Sequence, residues 1–487
     1  MPTFYGGPQG PLNQGLGSHG TLDPMAIQVT TRPTTKQAGT PAPYRPVRPA
    51  IRRWVPNVAA VALGVGLGAS CVLPLWGITS QSLSAPGGLA ILLGNVTAMA
   101  GTYLLLVMVL LAARIPELER VVGQDRMLRW HRRLSSAPLV LLGAHMVLTT
   151  LGFAQADHLG LFHEAGTLIT TMGWIFAAFV SYFMLVAIAV VSIRAVRRKM
   201  NYDTWWVIHL YTYLALAFSV PHQIFDGTAF IGRPLVKGAW LALWLATAGV
   251  VMVYRLGLPI YRSLRHRLRV VAVIPEGPNV FSLVVQGRHV EKLGVSGGQY
   301  FAWRFLVRDL WWHAHPFSLS AMPSPPFLRV TIKVAGDTTS RIATLRPGTR
   351  IAIEGPYGAF TGAARTRSGV ALIGAGVGIT PLRALVEDLP KGVDLVVVQR
   401  SSKTEDLIHR RELQELVGAR QGRFVELVGS RHLHRLDSPA YLHAVVPDMA
   451  ARDLYVCGPG TFSTGVISAA RSLGVAADAI HCESFDL

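Results

Sequence analysis

Residues 131–145, HRRLSSAPLVLLGAH, and residues 209–222, HLYTYLALAFSVPH, are apolar stretches with a histidine at each end. The members of the two pairs lie fourteen and thirteen residues apart, so on helices rising about 1.5 Å per residue they sit roughly 20 Å apart in depth. An imidazole inside a bilayer segment is costly, which points to function and asks for a partner. Two such helices, side by side and running the same way, bring His131 level with His209 and His145 level with His222. Each level then offers two neutral nitrogens across a gap, the axial donors of a six-coordinate haem iron, and two haems stack in one bundle. Fourteen residues is about 3.9 turns, so His131 and His145 share a face, whereas thirteen leaves His222 about 140° off the face of His209. Pro221, which lacks an amide hydrogen and clashes with the preceding turn, is the device expected to bring His222 back. A core histidine bonded to a backbone carbonyl is the alternative for any single ring. A transporter or channel with a regulatory nucleotide-binding domain, using the rings as a proton relay, is the alternative from another class.

The chain of 487 residues is 51% hydrophobic, with a mean hydropathy of +0.37, too apolar for an ordinary soluble enzyme. Six apolar blocks precede residue 260: Val55–Trp76, Gly88–Ala113, Leu134–Phe153, Leu168–Ile193, Trp205–Phe225 and Leu235–Leu256. Most approach the roughly 20 residues that a spanning helix needs, and the fifth is interrupted by His209, Pro221, His222 and Gln223. The net charge of +19 tracks topology and not nucleic acid. Arg114, Arg120, Arg126, Arg129, Arg132 and Arg133 separate the second and third blocks; Arg194, Arg197, Arg198 and Lys199 the fourth and fifth; Arg255, Arg262, Arg265, Arg267 and Arg269 follow the sixth. Residues 77–87 and 154–165 hold no Lys or Arg, and the third opposite loop has only Arg233 and Lys237 nearby. The positive-inside rule then gives six spans in the cell membrane with both termini cytoplasmic. His131 and His209 lie toward the inner face, His145 and His222 toward the outer.

Residues 1–50, rich in Pro, Gly, Thr and Gln, read as a disordered cytoplasmic tail. The first span lacks a small-residue cleavage pattern and is expected to be a retained helix. The three cysteines, Cys71, Cys457 and Cys482, have neither metal-ligand spacing nor the number for a disulfide framework.

The membrane bundle is therefore expected over 51–260. From 261 to 365 short alternating runs follow, Leu268–Ile274, Val280–Gln286, Gln299–Arg304, Phe327–Val334 and Arg350–Glu354, spaced as in a small antiparallel β-barrel. From 366 to 487 the apolar strands Val370–Ile373, Asp394–Gln399, Phe424–Leu427 and Leu454–Val456 alternate with helical stretches, the mark of an α/β domain with a parallel sheet.

Within the barrel, His315, Pro316, Phe317, Ser318, Leu319 and Ser320 follow a strand and a tryptophan-rich loop. With the membrane histidine pairs upstream, this stretch resembles the FAD motif of the ferric reductase and NADPH oxidase family. The likeness runs from about residue 90 to the C-terminus. It implies that His315, Pro316 and Phe317 bind FAD on its phosphate and ribityl side, and that the Ser318 hydroxyl lies near the reactive ring nitrogen. A small hydroxyl can bond that ring edge without blocking it. Lys333, Gly336, Asp337, Thr338, Thr339 and Ser340 stand before a helical stretch, where hydroxyls and free amides suit a pyrophosphate or simply cap a helix. Gly355, Pro356, Tyr357 and Gly358 resemble the loop that closes the family's flavin domain.

Gly374, Gly376 and Gly378 follow a strand, and Thr380 then Pro381 read as the cap and first-turn proline of a helix, where a dinucleotide phosphate could dock. The spacing is not that of the Rossmann fingerprint but is the usual form in the resembled family. Arg400 ends the next strand, where an NAD-specific fold prefers an acid. A cation there beside Ser401 and Ser402 favours the 2′-phosphate of NADPH, with a solvated arginine as the competing view. Cys457, Gly458 and Pro459 match the family's nicotinamide-side loop, which gives Cys457 and Ser318 roles beside the chemistry, although a buried structural cysteine is an equal account of Cys457. Phe485 resembles the C-terminal aromatic that gates the flavin, though two residues follow it here; a frayed terminus is the alternative. The resemblance thus implies an NAD(P)H-dependent transmembrane oxidoreductase carrying two haem b, FAD and NADPH. A ferric chelate, dioxygen or an extracytoplasmic redox protein would be its acceptor.

Overall fold

The computed structural model describes residues 28–29, 49–76 and 78–484. Most of the expected tail, and Phe485, lie outside the described residues. Residues 28–29 form a two-residue antiparallel rung on strand Arg423–Val428, and the first helix already begins at Pro49.

Among the described residues five helical segments are long and apolar enough to cross a membrane: Asn57–Leu75, Gly88–Ala112, Arg126–Ala156, Ile175–Ser192 and Pro234–His266. The remaining expected span is the 20-residue helix Tyr202–Pro221, whose tyrosines, tryptophans and His209 lower its apolarity. It is tied to Ile175–Ser192 by Ser181 Oγ donating to the Ala215 carbonyl at 2.6 Å and Trp205 Nε1 donating to Ser192 Oγ at 3.2 Å. Helices Gly88–Ala112 and Ser136–Ala156 approach closely at Gly94, where an added Cβ would stand 2.4 Å from Thr149 Oγ1. Small residues at such contacts let helix backbones meet where lipid supplies no hydrophobic drive. Beyond Pro221 the chain makes a five-residue π turn, His222–Asp226, a widened turn that alters the facing of the residues in and after it.

The barrel is two three-stranded antiparallel sheets. One orders Arg269–Gly277, Val280–Gln286 and Phe327–Lys333; the other orders His315–Ser318, Tyr300–Phe305 and Ile351–Tyr357. Alternate positions of these strands, among them Leu283, Val285, Phe301, Trp303, Phe305 and Val330, fill the core between them. In the third unit the strands Arg423–Val428, Asp394–Ser401, Gly369–Ala375, Arg452–Gly458 and Ile480–Ser484 lie in that order, all parallel. Near-continuous apolar runs such as Val370–Ile373 suit a sheet covered on both faces.

The barrel docks against the end of the bundle where helix Tyr202–Pro221 begins. Tyr300 donates to Glu119 Oε1 at 3.1 Å, Arg114 lies over the Tyr357 ring at 5.3 Å, and His313 Nε2 is 2.8 Å from Asp203 Oδ1. Arg255 stands 3.6 Å from Glu354, and Arg262 donates to the Gly355 carbonyl. Asp203 opens the helix that carries His209, so the tryptophan-rich loop sits directly under that helix.

Candidate functional site

The four membrane histidines meet as two pairs. The His131 and His209 ring centres are 6.3 Å apart, and those of His145 and His222 are 6.4 Å apart. An iron bonded at about 2 Å to the near nitrogen of each ring would hold two imidazole centres about 6 Å apart. Nδ1 of His131 lies 3.0 Å from the Met108 carbonyl, Nδ1 of His145 2.9 Å from the Gly94 carbonyl, and Nδ1 of His222 2.8 Å from the Ser219 carbonyl. Such bonds put the proton on Nδ1 and leave Nε2 as a lone-pair donor, the usual outer support of a metal-bound imidazole. Nδ1 of His209 is buried without a partner, and its ring stacks on Trp205 at 5.1 Å. The His145–His222 pair opens into a cavity lined also by Leu142, Phe153 and Tyr182. These residues fit two bis-histidine haems. Among the described residues no cluster of three or more His, Cys, Asp or Glu competes for a metal.

The flavin-motif stretch His315–Ser318 is a strand paired with Tyr300–Phe305, with Tyr300 opposite Ser318, where the sequence suggested a segment beyond a strand. Trp303 Nε1 donates to the Phe317 carbonyl at 3.0 Å, fixing it from below. His315 lies between Phe305 and Phe317 at 6.4 and 6.1 Å. Its Nε2 and the Ser318 Oγ are buried without partners. Two orphaned polar atoms on one short strand suit a polar ligand such as FAD. Burial first, then His313 and Arg304, lower the His315 imidazole to about 4, with Asp203 opposing. His315 is therefore neutral at pH 7. In the unfolded chain it takes up a proton as pH falls through its ordinary value of 6.5, so folding stability is full above that pH and declines below it. The unfolding midpoint is expected to fall as pH drops from 6.5 to about 4, and His315→Asn to flatten that slope; equal slopes in the two proteins would contradict the assignment.

Lys333 ends its strand with an exposed side chain. The helix after it starts earlier than expected, at Asp337, so Thr338 and Thr339 occupy its first turn. Thr339 Oγ1 accepts from the Ala335 and Gly336 amides at 2.8 and 3.1 Å. Those two amides are thus already engaged in this conformation.

In the α/β domain Gly374 lies next to last in the strand Gly369–Ala375, and Gly376, at φ +55°, turns the chain toward a helix. That helix begins at Ile379, which corrects the reading of Thr380 as its cap: Thr380 Oγ1 donates back to the Val377 carbonyl at 2.8 Å. Thr380, Pro381 and Gly378 are buried, and Gly376 is the exposed residue of the turn. A Cβ on Gly378 would stand 2.3 Å from the Cys457 carbonyl, so only glycine lets the turn lie against the neighbouring strand end. Arg400 Nη2 donates to the Gly429 carbonyl at 2.9 Å and Nη1 to Ser402 Oγ at 3.2 Å. Gly458 and Pro459 lead into helix Gly460–Ser472. Cys457 is fully buried in the core, and burial raises its thiol. That burial fits the structural account of Cys457. The backbone supports of the histidines and the Trp205 stack carried no sequence signal.

Residues 97–220 match the family model described as a ferric reductase like transmembrane component, and residues 265–361 match an FAD-binding domain. Over 229 residues the chain is 29% identical to the ferredoxin reductase component of 3-ketosteroid-9-alpha-monooxygenase from Mycolicibacterium smegmatis, covering 45% of this chain and 65% of that one. It is 26% identical over 277 residues to an NADPH oxidoreductase of Mycobacterium tuberculosis, covering 52% and 71%. With NADPH oxidase 1 of Mus musculus it shares 30% identity over 166 residues, covering 33% and 26%. The chain thus spans less than two thirds of the first of these relatives and about a quarter of the last.

Proposed function

We propose, for a chain that joins the ferric reductase-like membrane domain to the FAD-binding domain of the ferric reductase and NADPH oxidase family, that it carries electrons from cytoplasmic NADPH to an acceptor on the outer face. It is an NAD(P)H-dependent oxidoreductase of the membrane. Residues 51–260 form the di-haem bundle, 261–365 the FAD barrel and 366–487 the NADPH domain, with both termini cytoplasmic and the protein in the cell membrane. The single observation that carries the reading is the two facing imidazole pairs, 6.3 and 6.4 Å apart, above a barrel whose flavin motif keeps two buried polar atoms free.

Bound FAD accepts a hydride and releases single electrons, and bis-histidine haem iron takes one electron at a time. The chain's own groups bind and orient. His131, His209, His145 and His222 would hold the metals; carbonyl partners fix the rings of His131, His145 and His222, and Trp205 stacks on that of His209; His315, Pro316, Phe317 and Ser318 would line the flavin, with Lys333, Gly336, Thr338 and Thr339 toward its pyrophosphate. Gly374, Gly376, Gly378 and Arg400 receive NADPH, with Gly458, Pro459 and Phe485 on the nicotinamide side. With two imidazoles held to it at each level, a haem iron would offer the acceptor no open position, and the acceptor would be reduced without bonding metal. A ferric chelate or dioxygen meets that requirement, as does a redox protein at the outer mouth.

The test uses the full chain in sealed vesicles with NADPH on the side of the soluble domains and ferric chelate or dioxygen on the other. Ferrous product, or dye reduction abolished by superoxide dismutase, is expected only when NADPH is supplied on that side. A reduced-minus-oxidised spectrum without paired, sharp visible bands would instead leave the rings to a proton relay.

A further inference from the structure

Behind the flavin-motif strand, one carboxylate ties the barrel to the α/β domain. Arg329, on barrel strand Phe327–Lys333, donates from Nη1 and Nη2 to Glu412 Oε1 and Oε2 at 2.8 and 2.7 Å, and from Nε to Ser320 Oγ at 3.1 Å. Arg383, on helix Ile379–Asp388, donates from Nε to Glu412 Oε2 at 2.5 Å and from Nη1 to the Ser320 carbonyl at 2.8 Å. Glu412 itself lies on helix Arg410–Ala419. Hydrogen bonds from Arg329 and then His409, with the charges of both arginines, hold its carboxyl well below the usual carboxylate range. Without it, two guanidinium groups converge on one buried serine, and of the carboxylates paired with Arg383 only Glu387, 3.1 Å from its Nη2, remains to offset their repulsion.

The two ends of this clasp matter. Ser320 lies two residues beyond Ser318, and Arg383 lies on the helix that springs from the Gly376–Gly378 turn. We propose that Glu412 is a positioning residue for hydride transfer, holding the nucleotide turn at a fixed separation from the Ser318 edge of the flavin site. This rests on reading those two segments as the NADPH and FAD sites. In the step concerned, the nicotinamide C4–H bond breaks and its hydrogen leaves with both bonding electrons for the flavin ring nitrogen, so the nicotinamide is oxidised and the flavin reduced. That geometry tolerates little error, since a displacement of about 1 Å costs on the order of a hundredfold in rate.

The test is Glu412→Gln, which keeps the shape and removes the charge, in the full-length protein. Without FAD or NADPH present, amide exchange over residues 315–322 is expected to speed up about tenfold as local opening becomes easier, while helix Tyr202–Pro221 stays unchanged. With FAD bound, anaerobic bleaching of the flavin at saturating NADPH is expected to slow about tenfold or more at unchanged KM, with a larger isotope effect from 4-deuterated NADPH. Glu412→Asp should recover part of the rate. If Glu412→Gln does not accumulate folded, Arg329→Lys carries the same measurements, because it keeps the charge and loses the fork. Wild-type exchange and wild-type bleaching in the variant would overturn the positioning role alone. A wild-type protein whose flavin NADPH does not bleach would overturn the underlying reading.

Discussion

His209→Leu is expected to remove the haem proposed at the His131–His209 level and to stop electron delivery across the membrane, while NADPH still reduces the flavin. Leucine is apolar and sits comfortably in a helix, so the side chain that packs beside Trp205 at 5.1 Å is replaced without a buried polar group being stranded. The Nδ1 of His209 makes no protein hydrogen bond that the change would break. What is lost is one of two axial donors. His131 keeps its Met108 bond but faces a leucine with no donor nitrogen across the gap. Altering an outer support of a metal site already costs about 10- to 100-fold in affinity or activity, and removing a donor exceeds that. Bound haem should fall by about half, since the His145–His222 level does not use His209. Acceptor reduction on the outer face should drop more than about 100-fold, while flavin bleaching by NADPH holds its wild-type rate. Haem extracted and quantified per chain, beside flavin absorbance, reads both. Full haem content in the variant would contradict the ligand assignment.

The pairing behind that expectation was legible because depth along a helix depends only on residue count. The means of alignment were half visible. Pro221 stood out as the device for turning His222, and directly after it comes the π turn His222–Asp226, whose extra width periodicity alone does not reveal. The supports of the rings were not legible at all, because Gly94 and Met108 are backbone partners 51 and 23 residues away from His145 and His131. The strand Val280–Gln286 matched its sequence bounds. His315–Ser318 did not read as a strand, since a proline and a histidine weaken the pattern and its pairing comes from Tyr300–Phe305. Ile480–Ser484 was missed because His481, Cys482 and Glu483 hide a strand that exists by parallel pairing to Arg452–Gly458. Thr380 misled for a related reason: its hydroxyl returns to the Val377 carbonyl within the turn, and a threonine near a helix start looks the same in sequence whichever bond it makes.

Arg400→Ala is expected to raise KM for NADPH about ten- to hundredfold while leaving NADH oxidation untouched, because one hydrogen bond to a charged group contributes about 1.5–3 kcal/mol. Arg400 lies opposite Ala375, beside the Gly376–Gly378 turn. Its guanidinium is anchored by the Gly429 carbonyl at 2.9 Å and Ser402 Oγ at 3.2 Å. Those two bonds occupy part of a planar fork of five donors and orient the rest. A freely solvated arginine would surrender rotamer entropy on meeting a phosphate, whereas one already held at a strand end surrenders less. The 2′-phosphate is the sole difference between the two nicotinamide donors, so an effect confined to NADPH isolates it. The rate at saturating NADPH should change little, because the contact is made equally in ground and transition states. Rising salt should weaken NADPH binding in the wild type more steeply than in the variant. Equal KM shifts for NADPH and NADH would mean that the substitution disturbed the turn itself, and no shift for either would leave Arg400 as a solvated side chain.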